Sequence, residues 1–347
     1  AIETSCDETG VAILDCSGGL ARPQFKIRAN AITTQIELHK EFGGVVPNIA
    51  KREHIKHLPI LLIEALNKAG IKNPAEEIDA LAVTVGPGLE PALWAGITFA
   101  QELAQDWKLP VVASNHMEGH IAAILLPTDA KSKIKNEKVS FPAIATLVSG
   151  GHTELVLIKN WLDYKVIGET VDDAAGEAFD KVARMLDLPY PGGPEISRLA
   201  TTGNRYAHSF PRPMINTKNY NFSFSGLKTS VLYTLRDFKT KHIAYTKNDI
   251  AASFEEAVVD VLLFKTLRAI KEHNAQTLIL GGGVAANARL RSSMQIAAKK
   301  IGARIHLPAL KLTTDNAAMI AASAYFHTEK NDFTNWKKLS AHGTMPL

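Results

Sequence analysis

The sequence AIETSCDETGVAIL (residues 1–14) contains two apolar runs separated by a polar turn, which predicts a strand, a turn and a returning strand. The stretch AIATLVSGGHTELVLI (residues 143–158) repeats this plan. A second element also occurs twice, as LAVTVGPG (residues 81–88) and LILGGG (residues 278–283). Each of these runs from a strand pattern into a glycine turn that a helix pattern follows. We therefore predict two similar α/β halves, each beginning with a hairpin.

This repeat predicts a duplicated fold of two lobes around a nucleotide cleft. A chain of 347 residues is also long enough for two domains. We place the N-terminal lobe at residues 1–140 plus 315–347 and the C-terminal lobe at residues 141–314. The two glycine turns lie farther apart than the two hairpins, which predicts an insertion in the second half. We place it near residues 175–247, where turn residues and irregular apolar spacing replace a regular period.

Three helices can be predicted from apolar spacing. Residues 91–106 and residues 250–270 each place their apolar side chains on one helical face, which indicates core packing. Residues 51–66 have a helical pattern too, but Pro59 falls inside it. Because proline lacks a backbone N–H, Pro59 must either kink this helix or mark its true start.

The composition is that of a soluble globular protein, with 46% apolar and 21% charged residues. No stretch approaches the ~20 apolar residues of a membrane-spanning helix, so we predict no membrane span.

Cys6 and Cys16 cannot form a disulfide framework, which favours a reducing cytoplasm. The net charge of +4 permits nucleic-acid contact without arguing for it. The sequence opens on a strand pattern, so we expect a few residues before Ala1, and a removed targeting segment stays an alternative.

The sharpest local motif is HMEGH (residues 116–120). Histidines four residues apart on a helix face the same side, close enough to bind one divalent metal ion. The strand pattern before them places His116 and His120 at the carboxyl end of a strand, where α/β folds gather ligands. A zinc protease would have glutamate directly after the first histidine, but Met117 stands there. Glu118 is roughly 200° around the helix from His116 and should point away from the metal.

A third ligand must come from elsewhere in the chain. The sequence TTDN (residues 313–316) opens an alanine-rich helix. By local sequence, Asp315 or Thr314 is an ordinary helix N-cap, and a metal-ligand role for Asp315 is only weakly indicated.

Glycine-rich turns indicate a nucleotide site. Residues 149–151 expose backbone N–H groups that could form an anion nest, and residues 281–283 join a strand to a helix, where a phosphate could bind. Each turn alone is more often just a tight turn. Counting the turn at residues 5–10, however, three such turns lie at matched places in the two halves, which favours a nucleotide in the central cleft. Residues 172–181 carry four carboxylates, of which Asp173, Glu177 and Asp180 share one helical face. We expect this face to border a cavity or the surface.

These motifs, taken together and in order, resemble the TsaD family of bacterial tRNA N6-adenosine threonylcarbamoyltransferases. The resemblance runs essentially from end to end and implies the duplicated α/β fold shared by actin, Hsp70 and the sugar kinases (ASKHA). The segments that carry it lie at residues 2–9, 86–88, 116–120, 148–153, 176–181, 190–194, 222–228, 281–287 and 314–316.

The resemblance implies that His116, His120 and Asp315 bind one divalent metal ion, iron or zinc. It also implies an adenylate pocket that is formed by Leu147, Val148, Ser149, Gly150, Gly151, Asp180, Gly193 and Asn287. In this pocket Asp180 could accept hydrogen bonds from sugar hydroxyls. Ser197, near Gly193, occupies a place where relatives often carry an acidic residue.

The implied reaction transfers the threonylcarbamoyl group from threonylcarbamoyl-AMP to N6 of adenosine 37, in tRNAs that read codons starting with A, and releases AMP. Asp7 and Glu8 are candidates for positioning or proton transfer. The implied partners are tRNA, a TsaB-like paralogue in a heterodimer and a TsaE-like ATPase, in the cytoplasm. A mitochondrial relative with the same chemistry is an alternative.

Two other functions are compatible with parts of the sequence. The first is a metalloprotease, since the family once carried the label glycoprotein endopeptidase, although Met117 and the nucleotide-type loops argue against it. The second is a non-catalytic nucleotide-binding partner or an ATPase, because fold does not dictate function. An inactive paralogue would be expected to lose its metal ligands, and here all three are present.

Overall fold

The computed structural model describes residues 1–127 and 138–347, which belong to two compact units. Unit 1 comprises Ala1–Lys138 and Pro308–Leu347, and unit 2 comprises Val139–Leu307. The sequence-based boundary at residue 314 falls a few residues later than the second of these divisions, because residues 308–314 make their contacts within unit 1.

Unit 1 is built on a five-stranded mixed sheet with the order β3-β2-β1-β4-β5. The first three strands are antiparallel, whereas β4 and β5 run parallel to β1. The strands are β1 (Ile2–Glu3), β2 (Glu8–Ser17), β3 (Gln24–Thr34), β4 (Leu81–Gly86) and β5 (Val111–Asn115), and the helices are α1 (Ile36–His39), α2 (Pro47–Ala69), α3 (Pro74–Glu77), α4 (Glu90–Trp107) and α5 (His116–Ala122).

Unit 2 repeats the same plan with the order β10-β9-β6-β7-β8. Three antiparallel strands come first, and β9 and β10 then run parallel to β6. This agreement confirms the predicted duplication. The strands are β6 (Ala143–Val148), β7 (Thr153–Asn160), β8 (Asp163–Glu169), β9 (Thr277–Gly281) and β10 (Arg304–His306), and the helices are α6 (Ala175–Met185), α7 (Gly192–Ala200), α8 (Ser225–Lys241), α9 (Lys247–Glu272) and α10 (Ala288–Lys300).

The last helix, α11 (Ala317–Thr328), belongs to unit 1 and packs against α5 and β2. Each unit buries its own apolar core between sheet and helices, with Ile2, Val83 and Ile97 in unit 1 and Phe254 and Leu278 in unit 2. Burying one such side chain contributes about 1.5–3 kcal/mol, so these cores fix the sheet edges from which the loops emerge.

The helices predicted from apolar spacing are present as α4 and α9, each extending slightly beyond its predicted ends. In α2 the alternative that Pro59 marks the helix start is wrong. This helix begins at Pro47 and Pro59 lies within it. Proline at the first helical position costs no hydrogen bond, because an N–H there would have no acceptor within the helix. The predicted insertion at residues 175–247 contains three helices, α6 to α8. Residues 201–224, between α7 and α8, form turns and irregular segments, with one β-bridge from Phe222 to Thr170.

Among the helices in the described part of the chain, none is both long enough and apolar enough to span a membrane.

Candidate functional site

The two histidines of the HMEGH motif begin a helix at the end of a strand, as predicted. Strand β5 ends at Asn115, whose side chain accepts hydrogen bonds from the N–H groups of Met117 and Glu118 and so caps α5. His116 and His120 are 6% and 1% exposed, and their ring centroids lie 4.7 Å apart. The helix start therefore fixes both imidazoles side by side within unit 1.

The carboxylate of Asp315 lies beside both histidines. Its Oδ1 is 3.4 Å from Nε2 of His116 and 3.3 Å from Nε2 of His120. The interpretation of Asp315 or Thr314 as the helix N-cap is wrong, because Asn316 caps α11 by accepting a hydrogen bond from the Met319 N–H. This cap leaves the Asp315 side chain free to face α5.

These three residues have the properties of a metal-binding site. One donor atom from each lies within 4.8 Å of the others. Both ring nitrogens of His120 are buried without a hydrogen-bond partner among the described residues, an arrangement that costs about 1–3 kcal/mol per polar atom. Two imidazoles and one carboxylate form a donor set suited to zinc or iron. A divalent cation would satisfy Nε2 of His120, the ring nitrogen that lies beside Asp315.

A buried carboxylate that sequence analysis missed orients His116. Glu3 is fully buried, and its Oε2 lies 3.0 Å from Nδ1 of His116 while accepting a hydrogen bond of 2.8 Å from the Thr84 hydroxyl. Ser5 Oγ lies 3.1 Å from the same Nδ1. In the neutral imidazole, a proton held on Nδ1 leaves the Nε2 lone pair directed at the side where Asp315 lies. A glutamate in a short buried strand was the available sequence signal for this role.

The charges around the histidines are strongly coupled. Burial opposes protonation of His116, but the Asp315 and Glu3 carboxylates outweigh it and raise the pKa of His116 well above its usual range. Burial also opposes ionisation of Asp315, yet His116 holds the pKa of that carboxyl well below its usual range. Burial and the carboxylates of Asp315 and Asp7 raise the pKa of Glu8 to about 10. Glu8 therefore lies within electrostatic reach of Asp315, and Asp7 within reach of Glu8.

The glutamate of the HMEGH motif points away from the histidine pair, as expected from its position on the helix. Glu118 Oε2 lies 2.9 Å from Nε2 of His327, which comes from α11. In this position Glu118 cannot serve as the general base that a zinc protease requires next to its metal.

The contact between Glu118 and His327 predicts a pH-dependent contribution to stability. Burial lowers the pKa of His327, but Glu118 and Asp332 outweigh this and raise it to about 9. Because the folded-state pKa exceeds the unfolded value of 6.5, the stabilisation is complete below about pH 6.5 and is lost as pH rises through 9. We expect His327→Gln to destabilise the protein by on the order of 2 kcal/mol at pH 6 and little at pH 10.

Thermal unfolding of wild type and His327→Gln between pH 6 and pH 10 measures this difference. The exposed His342 provides a matched control as His342→Gln, which should change Tm little at any pH. A Tm difference for His327→Gln that stays constant with pH would contradict the assignment.

In unit 2 the first glycine turn joins β6 to β7. Ser149 N–H donates to the His152 carbonyl at 2.8 Å, and His152 N–H donates to Ser149 Oγ at 3.1 Å. A Cβ added at Gly150 or Gly151 would meet no atom within 4 Å, so this turn is open on its outer side. The side chains of Leu147 and Val148 are fully buried in the core. These two residues can offer only backbone groups to a ligand.

The second glycine turn packs against the end of β6. Gly282 has a φ of +88°, and a Cβ there would lie 2.4 Å from the Val148 carbonyl oxygen. We expect Gly282→Ala to destabilise the protein by about 3 kcal/mol, through backbone strain and this clash, and to lower Tm by roughly 5–10 °C. Gly283→Ala is the control, because a Cβ there meets nothing within 4 Å. Equal Tm values for the two variants in a thermal melt would refute the prediction.

Asn287 sits at the centre of a buried polar cluster that follows this turn. Its side chain caps α10 by accepting a hydrogen bond from the Leu290 N–H, and its Nδ2 donates to Ser197 Oγ at 2.7 Å and to Glu255 Oε1 at 2.6 Å. Burial raises the pKa of Glu255. Although position 197 carries serine, the structure thus places a carboxylate beside Asn287 from α9, a contact that no local sequence pattern indicated.

Asp180 holds a glycine turn at the start of α7. Its Oδ1 accepts hydrogen bonds from the N–H groups of Gly192 at 2.7 Å and Gly193 at 3.3 Å. Burial raises the pKa of Asp180 although these hydrogen bonds oppose the shift. The other two members of the predicted acidic face, Asp173 and Glu177, form ion pairs with Lys181 at 2.9 and 2.8 Å. Asp180 is therefore the member of this face that is placed among the glycine turns.

Comparison with known proteins identifies the relatives of this chain. Residues 26–322 match the family model described as TsaD, tRNA N6-adenosine threonylcarbamoyltransferase. The tRNA N6-adenosine threonylcarbamoyltransferase of Thermosipho africanus is 49% identical over 93% of this chain and 92% of its own length. The protein with the same name from Staphylococcus epidermidis is 45% identical over 94% of this chain and 90% of its own length.

Solved structures show the same fold at low sequence identity. The crystal structure of HypF from T. kodakarensis superposes with a TM-score of 0.60 at 14% identity, over 93% of this chain and 49% of that one. At this identity the likeness is evidence for the fold alone, and it agrees with the duplicated ASKHA fold expected from the sequence.

Proposed function

The chain belongs to the family of tRNA N6-adenosine threonylcarbamoyltransferases, and we propose that His116, His120 and Asp315 form the divalent metal site that serves its reaction. The chain is a transferase that modifies tRNA, forming threonylcarbamoyladenosine. The observation that carries the metal proposal is the buried His120. Among the described residues neither of its ring nitrogens has a hydrogen-bond partner, and its Nε2 lies 3.3 Å from the Asp315 carboxylate. The names of the relatives favour neither the protease nor the non-catalytic alternative.

The proposed donor is threonylcarbamoyl-AMP, a mixed anhydride with AMP as its leaving group. The N6 amine of adenosine 37 attacks the carbamoyl carbon, the bond from that carbon to the phosphate oxygen breaks, and N6 loses a proton. An exocyclic adenine amine is a weak nucleophile, so the residues of the chain must act chiefly by orienting the donor and stabilising the charge that develops on it.

The proposed metal is iron or zinc, held by Nε2 of both histidines and a carboxylate oxygen of Asp315. When bound, a divalent cation supplies a positive charge that orients and neutralises anionic phosphate and carboxylate oxygens. Glu3 contributes by holding His116 in the tautomer with the proton on Nδ1, and Ser5 supports the same nitrogen.

Unit 2 is proposed to bind the adenylate. The open turn at residues 149–151 would present its backbone N–H groups to phosphate oxygens without a Cβ in the way. Asp180 keeps the turn at Gly192 and Gly193 in place, which lets a ribose approach the backbone closely, and its carboxylate could accept hydrogen bonds from sugar hydroxyls. Asn287 would complete the pocket together with the backbone of Leu147 and Val148.

The remaining roles are proposed by family membership and by position. Asp7 and Glu8 are candidates for positioning substrate or moving a proton, since Glu8 lies within electrostatic reach of Asp315. A TsaB-like paralogue and a TsaE-like ATPase are the proposed partners, and the cytoplasm is the proposed location because tRNA is the substrate.

A modification assay tests this function. Unmodified tRNA that reads an A-starting codon is incubated with labelled threonine, bicarbonate, ATP, an adenylate-forming enzyme and the bacterial partners, with and without this chain. We expect threonylcarbamoyladenosine in the tRNA only when the chain is present. If the partners support transfer with another family member but not with this chain, the proposal fails.

A further inference from the structure

The second half of α8 borders a groove on unit 2 that the proposed adenylate pocket does not use. The groove has a volume of about 760 Å³ and lies between α8, the segment that follows it and the end of α6. Half-buried apolar side chains line it at Leu235 and Phe238, and exposed side chains surround them at Leu232, Tyr233, Ile243 and Tyr245. Such a set of exposed apolar residues commonly marks a binding surface.

The groove carries unbalanced positive charge. Arg236 and Lys239 line it from one face of α8, and both are exposed. No carboxylate in the described residues lies within 4 Å of the cationic nitrogens of either side chain. Asp187, at the same groove, is paired with Lys247 at 3.6 Å. The net charge offered to a ligand is therefore positive.

Aromatic rings alternate with these cations. The Arg236 guanidinium lies 4.9 Å from the ring centroid of Tyr233, which is 53% exposed. Phe238 packs against Tyr245, with ring centroids 5.4 Å apart at an interplanar angle of 32°. Exposed aromatic faces can stack on unpaired bases, and adjacent arginine and lysine side chains can bind the phosphates between them.

We propose that this α8 groove binds a strand of the tRNA substrate and raises the affinity of the enzyme for it. That the RNA is tRNA rests on the proposed function. That the groove can bind RNA is inferred from the two unpaired cations and the exposed tyrosines. A phosphate backbone complements Arg236 and Lys239, and unstacked bases complement Tyr233 and Tyr245. The net charge of the whole chain is only +4, so a local cationic surface matters for RNA binding.

The test measures the KM for tRNA in the complete modification reaction. We expect R236A/K239A to raise the KM for tRNA about 10- to 100-fold at moderate salt. The slope of log affinity against log salt concentration should become shallower by about two. Y233A should raise the same KM about 5- to 10-fold through lost stacking. The KM for the donor and the kcat at saturating tRNA should stay at wild-type values. The control K299A/K300A removes the same charge from α10, where both lysines are exposed.

The outcomes separate this inference from the proposed function. Direct binding of fluorescent tRNA to the wild-type and variant complexes, without donor, measures how much the groove contributes to tRNA affinity. This measurement is possible even if no transfer occurs. Wild-type tRNA affinity and salt slope in R236A/K239A would overturn the inference, as would an equal loss in K299A/K300A. Normal tRNA binding with weakened assembly of the protein complex would also overturn it, and would assign the groove to an acidic protein surface.

Discussion

Replacing His120 with alanine is expected to abolish threonylcarbamoyl transfer, with a loss of about 10³-fold or more, and to leave the fold intact. His120 is 1% exposed, and neither of its ring nitrogens has a hydrogen-bond partner among the described residues. Among the described residues, its removal therefore loses only the 3.3 Å contact of Nε2 with the Asp315 carboxylate and leaves a small cavity. What it removes is one of the three donor atoms proposed to hold the metal.

The measurement combines metal content by mass spectrometry, thermal unfolding and transfer activity. We expect less metal in His120→Ala than in wild type, with a Tm close to that of wild type. Met117→Leu, at a buried position on the same helix, is the control for packing and should retain metal and activity. A folded His120→Ala protein with a tenth or more of the wild-type transfer rate would contradict a role for this histidine.

The second large effect is expected at Glu3, which does not itself belong to the proposed ligand set. Glu3→Gln replaces the carboxylate that lies 3.0 Å from Nδ1 of His116, so the imidazole loses the anionic acceptor that fixes its tautomer. Changes to such supporting groups cost about 10- to 100-fold in metal affinity. We expect a loss of this size, with transfer restored in part by excess metal, because the three ligands remain.

Metal titration against a competing chelator measures this affinity directly. Glu118→Gln is the matched control, since Glu118 is also a buried glutamate near the histidines but contacts His327 instead. The control should bind metal as wild type does. If Glu3→Gln also binds metal with wild-type affinity, Glu3 is a packing residue and the assigned tautomer loses its support.

Much of the fold was predictable because it depends on patterns that are local and repeated. The two hairpins and the two glycine turns each follow from strand periodicity and breaker residues, and their recurrence predicted the duplication that both sheets show. The histidine pair was predictable for the same reason, since a spacing of four residues fixes one helical face.

Other features depend on contacts between distant segments. Glu3 and His116 are far apart in sequence, as are Glu255 and Asn287, and no local pattern indicates that they meet. Asp315 illustrates a different difficulty: at a helix start, aspartate and asparagine are comparable caps, and only the folded geometry shows that Asn316 is the cap and Asp315 faces the histidines.

His116, His120 and Asp315 are proposed to hold one metal ion in this tRNA-modifying transferase. Anomalous diffraction from crystals of the active chain, recorded at the iron and zinc absorption edges, tests it most directly. We predict a single strong peak enclosed by Nε2 of both histidines and the Asp315 carboxylate. Crystals of fully active protein with no peak at these residues, or with the metal bound elsewhere, would contradict a metal site at His116, His120 and Asp315.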